Sequence, residues 1–153
     1  MALTFEQARA SVLQEVSSRR VLPAAEEVAA LEASGRVLAA EIAADRDYPP
    51  FARSARDGFA IRCSDIPGEL RVIGEVRAGT VFSGAVGAGE AVEIMTGAPL
   101  PEGADSVVMI EHTERSGDVI RVAGSLKSGE NFNARGLEAQ RGAVVLTPGR
   151  RLG

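Results

Sequence analysis

Helical periodicity stops at Tyr48, and that break constrains the fold more than any other feature of the chain. Before it, Phe5, Ala8, Val12, Leu13 and Val16 recur at helical spacing. Thr4 with Gln7 three residues on makes a capping box, so the spacing predicts a helix over Phe5–Ser17. Pro23 interrupts. Glu26–Ala29 reads as a short strand despite the helical preference of Ala and Glu. Leu31–Leu38 reads as a second helix broken by Gly35, and Glu41–Ala44 leads into the polar stretch Asp45-Arg46-Asp47. After Tyr48, prolines and glycines become frequent. Pro49 and Pro50 fix their own φ and bias the preceding residues to extended geometry, so the chain enters a β-region there.

Strands are then expected at four places before the end. Leu70, Val72, Gly74 and Val76 alternate with Arg71, Ile73, Glu75 and Arg77, the pattern of a half-buried strand. Ala91–Met95, Ser106–Glu111 and Val119–Ala123 follow, with Ser116-Gly117-Asp118 as a hairpin turn between the last two. Gly142–Leu146 is a final strand, closed by Pro148-Gly149. The class is α+β: a helical amino-terminal piece and a β-rich body.

Composition narrows the function. At 153 residues the chain is long enough for a stable core. With no Trp and one Tyr, that core rests on Val, Leu, Ile and Ala. The net charge of −4, without aromatics interleaved among basic residues, argues against a nucleic-acid partner. No apolar run approaches membrane-spanning length. Cys63 and His112 are each alone, which excludes an internal disulfide and a Cys/His structural metal site. A lone cysteine fits a reducing compartment, and the polar first residues do not read as a signal peptide, so the expected location is cytoplasmic. Ser83-Gly84-Ala85-Val86-Gly87-Ala88-Gly89 lacks the Gly-Lys-Ser/Thr ending of a phosphate-cradling loop.

Three segments carry candidate chemistry. In Ser54-Ala55-Arg56-Asp57-Gly58-Phe59-Ala60, an acid precedes a glycine that permits positive φ or close approach of another backbone. Beside Arg53 and Arg56, Asp57 is expected to stay ionised. A hairpin turn acid is the plainer reading of the dipeptide. In Met95-Thr96-Gly97-Ala98-Pro99-Leu100-Pro101-Glu102-Gly103-Ala104-Asp105, the Thr96 hydroxyl and the amides around Gly97 are placed to donate to an oxyanion, or to make local bonds only. In Gly129-Glu130-Asn131-Phe132-Asn133-Ala134-Arg135-Gly136, followed by Glu138 and Gly142-Ala143, Arg135 can grip an oxyanion such as phosphate bidentately, or join a surface ion pair.

In their order and spacing, the three segments resemble the MoeA/gephyrin E-domain family, whose members insert molybdenum into molybdopterin. The resemblance covers essentially the whole chain and matches the family's amino-terminal part. It implies a discontinuous domain I at 1–45 and 139–153, with a β-rich domain II inserted at 46–138. It implies Asp57, Thr96 and Arg135 as catalytic residues, with Asp57 also a metal ligand. Ser54, Gly97 and Glu138 are implied as substrate-binding, Glu138 standing where the family often has aspartate. Arg53 and Arg56 depart from the family pattern, which commonly has a neutral residue at the second position. The implied reaction takes adenylated molybdopterin and molybdate, releases AMP, and uses a divalent cation such as Mg²⁺. The implied assembly is a homodimer in which the β-rich domain faces the pterin-binding domain of the partner subunit. Family enzymes continue beyond the point reached at Arg150-Arg151-Leu152-Gly153, so the chain is expected to supply one wall of the cleft and to be inactive alone. A noncatalytic dimerisation or scaffolding module of the same fold is the alternative.

Overall fold

The computed structural model describes residues 3–19, 21 and 23–153. Two compact units emerge, Met1–Ala40 with Pro148–Gly153, and Glu41–Thr147.

In the first unit, the capping box forms as expected. The Thr4 N–H donates to Gln7 Oε1 at 3.0 Å, and the Gln7 N–H donates to Thr4 Oγ1 at 3.3 Å. Helix α1 follows over Phe5–Arg19, two residues longer than the sequence predicts, with an ion pair between Glu15 and Arg19 on its last turn. None of its side chains is buried, and Phe5, Val12, Leu13 and Val16 stay exposed.

The second expected helix does not form beyond a 3₁₀ turn at Ala30–Glu32. Gly35 adopts φ +79°, which stops helical progression. The segment after it is claimed by the returning chain: Gly35 N–H donates to Leu152 O, Leu38 N–H to Arg150 O, and Leu152 N–H to Arg36 O, at 2.7, 2.9 and 2.9 Å. Nor does the expected strand at 26–29 form, because no neighbouring backbone completes a ladder with it.

The second unit holds all ten strands found among the described residues. They are β1 (Ile42–Ala43), β2 (Arg53–Ser54), β3 (Gly58–Ile61), β4 (Gly68–Val76), β5 (Glu90–Ile94), β6 (Ser106–Met109), β7 (Thr113–Ser116), β8 (Val119–Val122), β9 (Phe132–Asn133) and β10 (Val144–Leu146). Six of them form one mixed sheet in the order β6-β3-β5-β4-β8-β7, with only β4 and β5 parallel. The Gly117 turn does close a hairpin, but between β7 and β8; the chain ending β6 bends through a 3₁₀ turn at Ile110–His112 first. Two short antiparallel ribbons, β1–β10 and β2–β9, lie outside the sheet.

The core sits on both faces of this sheet. Phe59, Ile61, Leu70, Ala91, Val108, Ile120 and Val122 gather on one face, and Ala60, Val76, Val86, Val92, Ile94, Ala98 and Val107 on the other. β3 therefore reads as a continuous apolar run, since all four of its residues are buried. Each fully buried Val, Leu, Ile or Phe stabilises the fold by about 1.5–3 kcal/mol relative to exposure. β4 departs from the strict alternation of its sequence. Its register against β5 shifts between Val72 and Gly74, so Leu70 and Val72 feed the first core while Ile73 and Val76 feed the second. Gly74 fits there because a Cβ would lie 2.7 Å from the Phe82 ring.

Candidate functional site

Strand register brings Asp57 to Thr96. Gly58 pairs with Ile94 at the end of the β3–β5 ladder, so Asp57 and the residues after Ile94 emerge together. Thr96 turns both of its donors onto one carboxylate oxygen. Its N–H reaches Asp57 Oδ1 at 2.6 Å and its hydroxyl reaches the same oxygen at 2.7 Å. The other oxygen has no hydrogen-bond partner among the described residues, and the side chain is exposed.

The Asp57-Gly58 step is not a hairpin turn. β2 pairs with β9, whereas β3 pairs with β5 and β6. Gly58 serves close approach instead of positive φ: a Cβ there would lie 1.9 Å from Val108 O. The Asp57 carbonyl in turn accepts the Ile110 N–H at 3.2 Å, so the main chain under the carboxylate is held where β6 passes into its 3₁₀ turn.

Asp57 is held ionised, as expected, but by a different cause. The Thr96 N–H, and then the Thr96 hydroxyl, lower its carboxyl below the ordinary value of 3.8. Arg53 contributes nothing to that shift because it is committed elsewhere: its Nη2 lies 3.0 Å from Glu138 Oε1. Arg56 is exposed and pairs with no carboxylate among the described residues.

The Thr96–Gly103 loop consumes the amides that the sequence offered as oxyanion donors. Thr96 N–H goes to Asp57, Gly97 N–H to Ser54 O at 2.9 Å, and Ala98 N–H to Met95 O at 2.9 Å. Gly97 takes φ +84°, which suits its residue type. What this loop offers outward is the Asp57 carboxylate, not a nest of amides. Ser54 is 2% exposed and acts on the chain itself. Its hydroxyl donates to Arg56 O at 2.5 Å and accepts the Arg56 N–H at 3.2 Å, while its own N–H bonds to Ala98 O at 2.9 Å. It shapes the turn that presents Asp57.

The third segment closes on the first. Arg53 pairs with Asn133 and Ser54 with Phe132 in the β2–β9 ribbon, and Arg53 also bridges to Pro99. Thus one residue touches the backbones of both other segments. Arg135 and Glu138, read together in the sequence, do not pair with each other. Arg135 Nε lies 2.6 Å from Asp47 Oδ2 with 69% of its side chain exposed. Glu138 meets Arg53, and its N–H bonds to Tyr48 O at 2.8 Å.

Three further residues tie these segments to the sheet without standing out in the sequence. Asn131 adopts φ +63°, donates from Nδ2 to Val107 O at 2.8 Å, and accepts the Ala55 N–H on its carbonyl at 2.9 Å. Asn is the usual non-glycine choice at positive φ, a signal available in the Gly-Glu-Asn run. Asp47 accepts the Arg141 N–H at 2.9 Å as well as Arg135, and these bonds lower its carboxyl, the backbone bond most. Asp105 takes the Cys63 N–H at 2.7 Å, the Cys63 thiol at 3.2 Å and the Ser106 hydroxyl at 3.1 Å. Burial pulls the Asp105 carboxyl up, but the Cys63 N–H, the thiol and the Ser106 hydroxyl outweigh it. Asp105 in return pushes the Cys63 thiol up, which keeps it protonated and unreactive.

Among the described residues, no three His, Cys, Asp or Glu side chains gather as a metal cage. The donor set fits a cation that takes a single protein carboxylate and completes its shell with water and substrate oxygens, as Mg²⁺ does. Asp57 is the group so placed.

The arrangement defines a class: an α+β protein whose β-rich unit gathers three loop segments around one outward carboxylate. The chain belongs to the MoeA N-terminal region family (domain I and II), which it matches over residues 3–153. It is 43% identical over 128 residues to the molybdopterin molybdenumtransferase of Bacillus subtilis (strain 168), covering 76% of this chain and 30% of that protein. The molybdopterin molybdenumtransferase of Staphylococcus aureus (strain Mu50) is likewise 43% identical over 128 residues, covering 78% of this chain and 30% of that protein. The crystal structure of the molybdopterin biosynthesis moeA protein from Pyrococcus horikoshii OT3 superposes with a TM-score of 0.77 at 42% identity. It covers 80% of this chain and 34% of that one. The chain thus spans about a third of the length of the proteins it matches.

Proposed function

We propose that this chain contributes the Asp57 wall of a molybdopterin molybdenumtransferase cleft in molybdenum cofactor biosynthesis. The reaction inserts molybdate into adenylated molybdopterin and releases AMP. The observation that carries this reading is the pair of Thr96 bonds on Asp57 Oδ1, which hold an ionised carboxylate with its second oxygen outward. A fixed, charged oxygen donor at a loop edge suits a hard cation. Mg²⁺ bound there would neutralise phosphate charge and favour departure of the nucleotide. Asp57 would hold it, Thr96 positions the carboxylate, and Glu138, carried on Arg53, stands at the neighbouring segment.

The same proposal places domain II in the β-rich unit and domain I in the discontinuous unit, in a cytoplasmic homodimer whose cleft is completed by the pterin-binding domain of the partner subunit. The exposed Phe5, Val12, Leu13 and Val16 on α1 support an associating surface. They also favour the second reading, a noncatalytic dimerisation module. Among the described residues, no helix is long and apolar enough to cross a membrane.

The test joins this chain to a separately supplied pterin-binding part of a relative, with adenylated molybdopterin, molybdate and Mg²⁺. Cofactor formation that Asp57→Asn abolishes is the expected outcome. Association of the two parts without turnover would overturn the enzymatic reading in favour of the module.

A further inference from the structure

Arg53 and Arg56 flank the same turn, yet the structure gives them different fates. Arg53 is neutralised by Glu138 at 3.0 Å. Arg56 has no carboxylate partner among the described residues, although Asp57 is its neighbour in the chain. The reason is geometric. Asp57 Oδ1 is saturated by the two Thr96 donors, so the carboxylate is held to the β5 end and not to the guanidinium. The backbone of Arg56 is meanwhile fixed at both polar groups, because its N–H and its carbonyl both bond to the buried Ser54 hydroxyl. An exposed guanidinium on a fixed backbone carries five N–H donors in a planar fork that matches oxyanions bidentately. The next residue along the chain carries a carboxylate with one oxygen free of hydrogen bonds among the described residues.

We infer that Arg56 is an oxyanion contact of this edge, taking a tetrahedral oxyanion whose counter-cation rests on Asp57. The inference deepens the proposed function and rests on it for the identity of the anion. Two sources share the chemistry: the oxometallate itself, and the phosphate groups of the nucleotide-bearing substrate. Among the described residues the Arg56 side chain makes no hydrogen bond or ion pair, so its replacement leaves the turn intact.

The experiment is an NMR titration of this chain, following the Arg56 side-chain Nε–H and the Thr96 amide. Sodium molybdate and inorganic pyrophosphate are the separate probes, each with MgCl₂ present. Mn²⁺ broadening of the Asp57 and Thr96 signals is recorded in parallel. A saturable shift at Arg56 that weakens about tenfold in Arg56→Gln, and less in Arg56→Lys, is expected from loss of a charge-assisted fork. A response to molybdate assigns the contact to the oxometallate; a response to pyrophosphate alone assigns it to substrate phosphate; both support the inference. Unchanged affinity in Arg56→Gln overturns it. Mn²⁺ broadening that Asp57→Asn abolishes, without any anion response at Arg56, overturns the Arg56 contact and leaves the Asp57 reading standing. Absence of broadening at Asp57, with the anion response intact, does the reverse.

Discussion

Replacing Gly58 with alanine should cost far more than a methyl group normally does in a strand. The new Cβ would lie 1.9 Å from Val108 O, 2.9 Å from Val108 C and 3.0 Å from Met109 Cα. These are backbone atoms, so no side chain can swing away. Relieving the closest contact to about 3.0 Å requires β3 and β6 to part by about 1.1 Å, enough to break the ladder bond at that point. Overpacking of this kind costs about 1–3 kcal/mol. Each lost ladder bond adds about 1 kcal/mol, because the groups sit beside the buried Phe59, Ala60, Val107 and Val108. The expected destabilisation is therefore about 2–5 kcal/mol, a large part of the stability of an ordinary domain. The same displacement carries Asp57 off Thr96, whose bonds at 2.6 and 2.7 Å do not survive a shift of about 1 Å. Urea unfolding followed by circular dichroism measures the first effect, and NMR titration of the Asp57 carboxyl the second. Gly124→Ala is the control, since a Cβ there meets nothing within 4 Å. A Gly58→Ala variant with the wild-type urea midpoint and an unmoved Asp57 titration would refute the argument that β6 fixes the carboxylate.

Two further outcomes follow from the same geometry. Thr96→Val keeps the amide donor and removes the hydroxyl, so the Asp57 carboxyl should move part of the way back up toward 3.8. Its folded value is depressed, so the Thr96 bonds stabilise the fold above pH 3.8 and that contribution is lost as pH falls through the folded value; carbon-13 titration of both proteins reads it. Asn131→Ala should lose the Nδ2 bond to Val107 O and strain a residue at φ +63°, costing about 2–3 kcal/mol, whereas Asn131→Gly should lose the bond alone, about 1 kcal/mol. Equal urea midpoints for the two variants would remove the backbone part of that account.

Elements marked by local signals are legible in the sequence, and those whose backbone is claimed by a distant segment are not. Thr4 and Gln7 mark the start of α1 through bonds they make with each other. Leu31–Leu38 has a helical spacing too, but its backbone is taken by Arg150 and Leu152, which lie more than a hundred residues downstream. No window of sequence contains that competition. The site behaves likewise. Asp57 and Thr96 are legible as motif residues, and their proximity follows from register. That Thr96, not arginine, sets the charge of Asp57 is invisible until the β3–β5 pairing is known. The same holds for Ser54, whose hydroxyl is spent on its own turn.

The displaced register inside β4 has a consequence for how this chain can vary in length. Leu70 and Val76 lie an even number of positions apart, which a regular pleat would put on one face, yet the irregularity sends them to opposite cores. Deleting one residue there leaves an odd offset, which a regular pleat also sends to opposite faces, whereas an added residue reverses which core the downstream half serves. With the added residue Val76 would turn toward space already filled, and the end of β4 that supports Met95 through Val76 O would shift with it. The strand works as a ruler whose odd graduation sets the height of the Thr96 loop, so a one-residue deletion within Val72–Gly74 and length changes at the open Gly117 tip should be tolerated, and a one-residue insertion within Val72–Gly74 should not.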